Sequence, residues 1–318
     1  MNWIKYIVIL IIVSCLSFFT LYFTDLAAKK FLGLGEPIVY DAHPLWGYSP
    51  RENRKYNRFN GAKVTINEVG ARSTNPWNTN GNNILFIGDS ITYGGSYIND
   101  DQTFASLSCK ELSNWTCHNA GVNAYGILNM VARSRYDTRI SSAPIRVFTF
   151  ITEDFDRGLQ DANTAHFVLR EPPQYLNALW EISNFFAAKI SPKNWFGKKS
   201  DIQNQKRLER EIILNRQFAL DILISELRRL EDQGLNFLLV FSPTISEIRN
   251  REMIRNNMIL AKLQAEYPGR FLNLIEAVSN NYLRGDDLIF YDQAHYGREG
   301  HRLISNYLSH SLKKLIKK

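Results

Sequence analysis

The chain has 318 residues, 45% hydrophobic and 22% charged, with no long low-complexity segment; this suits one globular domain with appendages and excludes a globally disordered chain. The net charge is +7 and the pI near 9.2, with basic residues spread along the chain and small clusters at 189–199, 206–216 and the terminal KKLIKK. No zinc-finger spacing, RNA-binding signature or basic-plus-heptad stretch accompanies them, so the charge argues against a nucleic-acid partner and for an anionic membrane surface or an acidic polysaccharide.

The N-terminus is the first predicted element. From Tyr6 to Phe23, 18 residues carry no charge, close to the roughly 20 that span a bilayer. A cleaved signal has a shorter apolar core and a small-residue cleavage site, for which DLAAKK is a poor candidate. IVSC, ending at Cys15, loosely resembles a lipoprotein box, but apolar LSFFTLYF follows it. Residues 1–24 are therefore predicted to be a retained, single-pass membrane anchor. Lys5 on one side and Lys29 and Lys30 on the other give no orientation by the positive-inside rule. Residues 25–80 are rich in turn formers and read as an irregular extension, with one or two short strands, packed on the domain that follows.

From residue 81 to 318 strands alternate with helices. NILFIG is a short buried strand, and DQTFASLSCKELSN has helical spacing of Phe104, Leu107 and Leu112. TCHNAGV is a strand ending in a glycine turn, ILNMVARSRYDTRI a helix, and IRVFTFI (145–151) a strongly apolar strand. RQFALDILISELRRLEDQG is a long amphipathic helix with glycine just past its end, followed by the strand LNFLLVFSP. SEIRNREMIRNNMILAKLQAEYPG reads as one helix, RFLNLIEAV as a last strand, and GREGHRLISNYLSHSLKKLIKK as a C-terminal helix with apolar Leu303, Ile304, Leu308, Leu312 and Leu315. This alternation predicts an α/β fold with a central parallel sheet and helices on both faces.

About 60 residues, 155–214, interrupt the rhythm and are expected to form a helical insertion. Within it Trp180, Phe185, Phe186, Trp195 and Phe196 lie beside four lysines, which fits a cap over the sheet or an element that grips a membrane surface or substrate. Of the three cysteines, Cys15 is in the anchor. Cys109 and Cys117 fit no metal site or redox pair; they are either a disulfide or two buried thiols.

Ligands of an open parallel sheet bind beyond the carboxyl ends of its strands. Gly88-Asp89-Ser90, Asn119-Ala120-Gly121, Thr152-Glu153-Asp154 and Asp292–His295 all fall there. A serine becomes a nucleophile when a histidine removes its proton and a carboxylate holds that histidine. Asp292 and His295, three apart, supply both for Ser90. Asp89 is expected to bond backbone N–H groups and hold the turn that presents Ser90, and His301 to pack or cap at the start of the last helix. His43, His118, His166 and His310 are scattered and suggest no ligand cluster.

These segments together resemble the SGNH/GDSL hydrolase family. GDSIT at 88–92 matches its nucleophile block, NAGVNAYG at 119–126 its second block, and DQAHYGREGHRLI at 292–304 its last block, including Gly300 and His301. The likeness covers residues 84 to about 310. More loosely, LWGYSP and INEVGARS are similar to the lead-in of membrane-anchored members linked to cell-surface polysaccharides. The resemblance implies a three-layer α/β/α flavodoxin-like sandwich, no metal or cofactor, and ester hydrolysis by Ser90, His295 and Asp292. The N–H groups of Ser90 and Gly121 would form the oxyanion hole. The third block departs from the pattern: where the family has Gly-x-Asn-Asp, this chain has Ile151-Thr152-Glu153-Asp154, with glutamate in place of the oxyanion asparagine. Either Glu153 is held protonated by burial and donates, or Asn123 or another donor substitutes, or the site binds without turnover. Pairing of Glu153 with Arg157 is compatible with the last two.

The expected function is a membrane-anchored serine esterase, with its domain periplasmic or extracellular, that removes O-acyl groups, O-acetyl above all, from a surface polysaccharide. The alternatives are an O-acyltransferase using the same serine intermediate, and a non-catalytic carbohydrate-binding or assembly subunit.

Overall fold

The structure, a computed structural model, describes residues 2–162, 171–190, 202–285 and 288–317. Helix α1 (Asn2–Ala27) runs past the predicted anchor boundary and continues as a wider π-turn to Leu32, where Gly33 ends it in the left-handed region. Among the described residues one helix, Trp3–Leu32, is long and apolar enough to cross a membrane, and its apolar side chains are exposed.

The extension forms two hairpins, β1 (Tyr40–His43) with β2 (Gly47–Pro50) and β3 (Arg54–Asn57) with β4 (Lys63–Ile66), so it holds more strand than its composition predicted. It is stitched to the sheet edge at Arg72, whose backbone exchanges hydrogen bonds with Asn119.

Then follow β5 (Asn83–Gly88), the single-turn helix α2 (Ser90–Tyr93), α3 (Phe104–Cys109), β6 (Thr116–Asn119), α4 (Ile127–Tyr136) and β7 (Ile145–Phe150). Next come α5 (Asn177–Ile190), α6 (Ile202–Asp232), β8 (Asn236–Phe241), the short helices α7 (Ile245–Arg249), α8 (Arg251–Arg255) and α9 (Met258–Glu266), β9 (Phe271–Asn273), α10 (Ile275–Tyr282) and α11 (Arg298–Ile316). The strands lie in the order β6-β5-β7-β8-β9, every pair parallel. Counted from β5 this is the 2-1-3-4-5 order of flavodoxin-like sheets. All residues of β5 and β7 are buried, as continuous apolar runs covered on both faces require. Helix α3 packs on α11 and α4 on α6, giving the two helical layers.

Several predicted bounds shift. Helix α3 stops at Cys109, short of Leu112. The single helix predicted over 246–269 is three helices, the last starting where Asn257 turns its side chain onto the N–H groups of Ile259 and Leu260. Only Phe271–Asn273 of RFLNLIEAV is strand: Asn273 Oδ1 accepts the Ile275 N–H and opens α10. Helix α6 begins at Ile202, inside the predicted insertion. Helix α5 docks on the base of α1, where buried Asp25 accepts the N–H groups of Ala178 and Leu179. Trp180 is half-buried and Phe186 exposed; Trp195, Phe196 and His166 lie outside the described residues. Cys109 and Cys117 form a disulfide that ties the end of α3 to β6.

Candidate active site

Strand β5 ends at Gly88, and Asp89 caps the following turn by accepting the Ile91 N–H at 2.9 Å. This sets Ser90 at the first position of α2, at the carboxyl edge of the sheet beside β7. Between β5 and β7 the order in which strands are added reverses, which is where such sheets bind ligands. The other half of the site comes from the loop before α11. Tyr296, buried, donates its hydroxyl to the Pro243 carbonyl at the end of β8 and accepts from Ser242, pinning that loop to the sheet.

The two halves meet. His295 Nε2 lies 2.8 Å from Ser90 Oγ, and His295 Nδ1 lies 3.0 and 2.9 Å from the two oxygens of Asp292. Asp292 Oδ1 also accepts the N–H groups of Ala294 and His295, each at 2.8 Å. Burial acts to raise the Asp292 carboxyl, but these N–H donors and the imidazole outweigh it and hold Asp292 below the usual carboxylate range. An ionised Asp292 fixes the proton on Nδ1, leaving Nε2 to accept from Ser90. The relay is open to solvent, with 31% of the His295 and 48% of the Asp292 side chain exposed.

Beneath Ser90 two buried carboxylates flank one guanidinium. Arg157 donates to Asp154 at 2.6 Å and to the Tyr125 carbonyl at 2.9 Å, and lies 3.6 Å from Asp89. Burial pushes both acids up, and the neighbouring Asp89 carboxylate pushes Asp154 further. Asp89 thus holds the turn as expected, with Arg157 as a partner that the sequence did not single out. His301 is buried and accepts the Phe104 N–H at 3.1 Å on Nδ1, so it supports the start of α3. Burial, with Arg72 nearby, lowers His301 to about 3 and keeps it neutral.

Of the expected oxyanion groups, Gly121, Asn123 and Glu153 are engaged elsewhere. The Gly121 N–H is donated to Asn119 Oδ1 at 3.0 Å, and a Cβ there would lie 2.4 Å from the Tyr93 nitrogen, so Gly121 serves close packing behind α2. Asn123 gives its amide to the Tyr40 hydroxyl at 3.2 Å, and its carbonyl accepts from Tyr48. Glu153 has 73% of its side chain exposed and lies 3.4 Å from Arg157, so it is not the buried group that one of the readings required. Ala124, which sequence reasoning did not single out, sits in the turn 122–125 with φ +61°, and among the described residues its N–H has no partner. The Val122 N–H bonds the Gly88 carbonyl at 3.0 Å and seats this turn beside Ser90. A non-glycine residue in that conformation costs about 1 kcal/mol, strain of the kind that collects at functional sites.

No protein-family model and no curated protein matches the sequence. Solved structures do match. A member of the lipolytic G-D-S-L family from Veillonella parvula is 12% identical, with 72% of this chain and 97% of that one covered and a TM-score of 0.41. An acetylxylan esterase from Geobacillus stearothermophilus, solved as a catalytic mutant, is 14% identical over 73% and 94%, with a TM-score of 0.46. A two-domain esterase active on acetylated mannans, crystallised with mannopentaose, is 14% identical over 74% of this chain and 50% of that one, with a TM-score of 0.45.

Two further arginines position the site. Arg72, from the extension, is buried and donates to Asp100 at 2.8 Å and to the carbonyls of Tyr93, Gly95 and Ile98. It thereby holds the loop that leaves α2. Arg133, on α4, donates to the carbonyls of Ala120, Val69 and Gly70 and fixes the approach to the Ala124 turn. INEVGARS carried Arg72 in plain view, but a basic residue after a glycine turn gives no sign of its burial.

Proposed function

We propose that the protein is a serine esterase that removes O-acetyl groups from a surface polysaccharide. The observation that carries the reading is the continuous relay Ser90–His295–Asp292. His295 Nε2 takes the Ser90 proton as Oγ bonds to the acyl carbonyl carbon. The carbonyl oxygen becomes an oxyanion, held by the N–H groups of Ser90 and Ala124. The tetrahedral intermediate collapses, the ester C–O bond breaks, and His295 returns the proton to the leaving sugar hydroxyl. Water then attacks the acyl-enzyme, giving its proton to His295, and acetate leaves as Ser90 recovers the proton. Asp292 orients His295 and stabilises the imidazolium in both halves.

An open relay suits an ester carried on a polymer, because the chain on either side of the acylated sugar needs room. The apolar N-terminal helix and the Cys109–Cys117 disulfide support a domain held at a membrane on its oxidising side. The test is acetate release from p-nitrophenyl acetate and from an acetylated polysaccharide. Ser90→Ala should lower both rates by at least about 10³-fold; an unchanged rate would remove Ser90 from the role of nucleophile.

A further inference from the structure

Two tyrosines join the halves of the site, and the relay uses neither. Tyr97 lies on the loop leaving α2, and Tyr291 immediately precedes Asp292. Their rings stack with centroids 3.7 Å apart and planes within 10°. The stack is anchored on three sides. The Tyr97 hydroxyl donates to the Tyr296 carbonyl at 2.8 Å. A Cβ on Gly95, which has φ +74°, would lie 2.1 Å from the Tyr97 ring, so that ring rests on bare backbone. The Tyr291 N–H donates to the His295 carbonyl at 2.8 Å. Burial, then the Asp292 carboxylate, pushes the Tyr97 hydroxyl up, so it stays a neutral donor.

Although Tyr97 covers one face of its ring, Tyr291 remains 57% exposed. A fixed aromatic face on the loop that carries Asp292 and His295 is a low-entropy contact surface, because tyrosine has only two side-chain torsions to restrain. The residues that follow Tyr291 in the chain are polar, Asp292 and Gln293 being exposed, as is half-buried Ser96 beside Tyr97. That combination fits a ligand with one apolar face and a polar rim, which describes a pyranose ring with its C–H face and peripheral hydroxyls. An extended acyl chain would require an apolar rim.

We propose that Tyr291, backed by Tyr97, is a sugar-binding residue on which the pyranose next to the scissile ester stacks, bringing the acyl carbonyl to Ser90. This rests on the esterase reading and names its substrate subsite. The test compares glucose pentaacetate with vinyl acetate, an ester without a ring, using the full-length chain in detergent. Tyr291→Ala should lower the ratio of kcat/KM for the sugar ester to that for vinyl acetate at least tenfold, mainly through KM. Tyr291→Phe should keep most of that ratio. An equal loss on both esters, or no change in the ratio, overturns the proposal. A second readout separates it from the esterase reading: saturation-transfer NMR of glucose pentaacetate on Ser90→Ala. The pyranose C–H signals should be strong and should fall when Tyr291→Ala is added. If wild type cleaves neither ester, the esterase reading fails and the NMR contrast alone decides the platform, which persisting signals would refute.

Discussion

Asp292 does its work at the surface, so its contribution to catalysis and to stability can be separated. Asp292→Asn should lower kcat by about 10⁴-fold, through the wrong imidazole tautomer, while stability moves by less than about 0.5 kcal/mol, as for an exposed charge. Steady-state kinetics beside a urea titration would show both, and a loss under tenfold would contradict the assignment. Glu153 should behave in the opposite sense. Its carboxylate stands where the related motif has a donor, paired with half-buried Arg157, and exposed pairs are worth at most about 1 kcal/mol. Glu153→Gln should raise kcat several-fold without a change in the urea midpoint; a fall in kcat would mean that the carboxylate itself is used. Ser90, Asp292 and His295 were legible in the sequence because chemistry fixes their types and spacing. The turn at Ala124 was not, since a positive φ at a non-glycine residue has no signature in composition. The Tyr97–Tyr291 stack was equally silent, because it joins loops from opposite ends of the chain.

The same contrast holds for the elements. Strands β5, β7 and β8 were readable as continuous apolar runs, which a sheet covered on both faces demands. The 245–282 region was misread where asparagine side chains decide the outcome: Asn257 and Asn273 bond nearby N–H groups and start helices inside runs whose apolar pattern is continuous. The disulfide was left open by the sequence because eight residues of separation suit either state. Joining Cys109 to Cys117 restricts the unfolded chain by about 2.5 kcal/mol in the loop-entropy account, so the Cys109→Ala/Cys117→Ala protein should lose about that much in urea unfolding. Arg72 is the costlier element-level contact. Arg72→Met strands the Asp100 carboxylate, which also accepts the Thr65 N–H, and removing one partner of a buried pair costs about 3–5 kcal/mol. Urea unfolding of this variant measures that cost, and a loss under 1 kcal/mol would show that the extension is dispensable to the nucleophile's loop.

For the whole molecule, acid is the predicted weakness. His118 is lowered to about 4 by burial, and His301 to about 3 by burial with Arg72 nearby, against an ordinary value of 6.5. The unfolded chain therefore binds protons that the folded one refuses. Their contribution to stability is present above pH 6.5 and falls as pH drops through 4 toward 3, by on the order of 3–4 kcal/mol between pH 7 and pH 5 for the two together. Thermal melts at those two pH values should show a lower midpoint at pH 5. The charge and the apolar N-terminus pointed to a membrane and a glycan, and the alternation of elements pointed to the sheet. None of these distinguishes an enzyme from a protein that only binds, and reactivity at one oxygen does. Treatment of the intact chain with a fluorophosphonate, followed by peptide mass spectrometry, tests that directly. The account predicts one adduct, on Ser90, absent from Ser90→Ala and greatly slowed in His295→Ala. An unreactive Ser90, or an adduct on another serine, would contradict it.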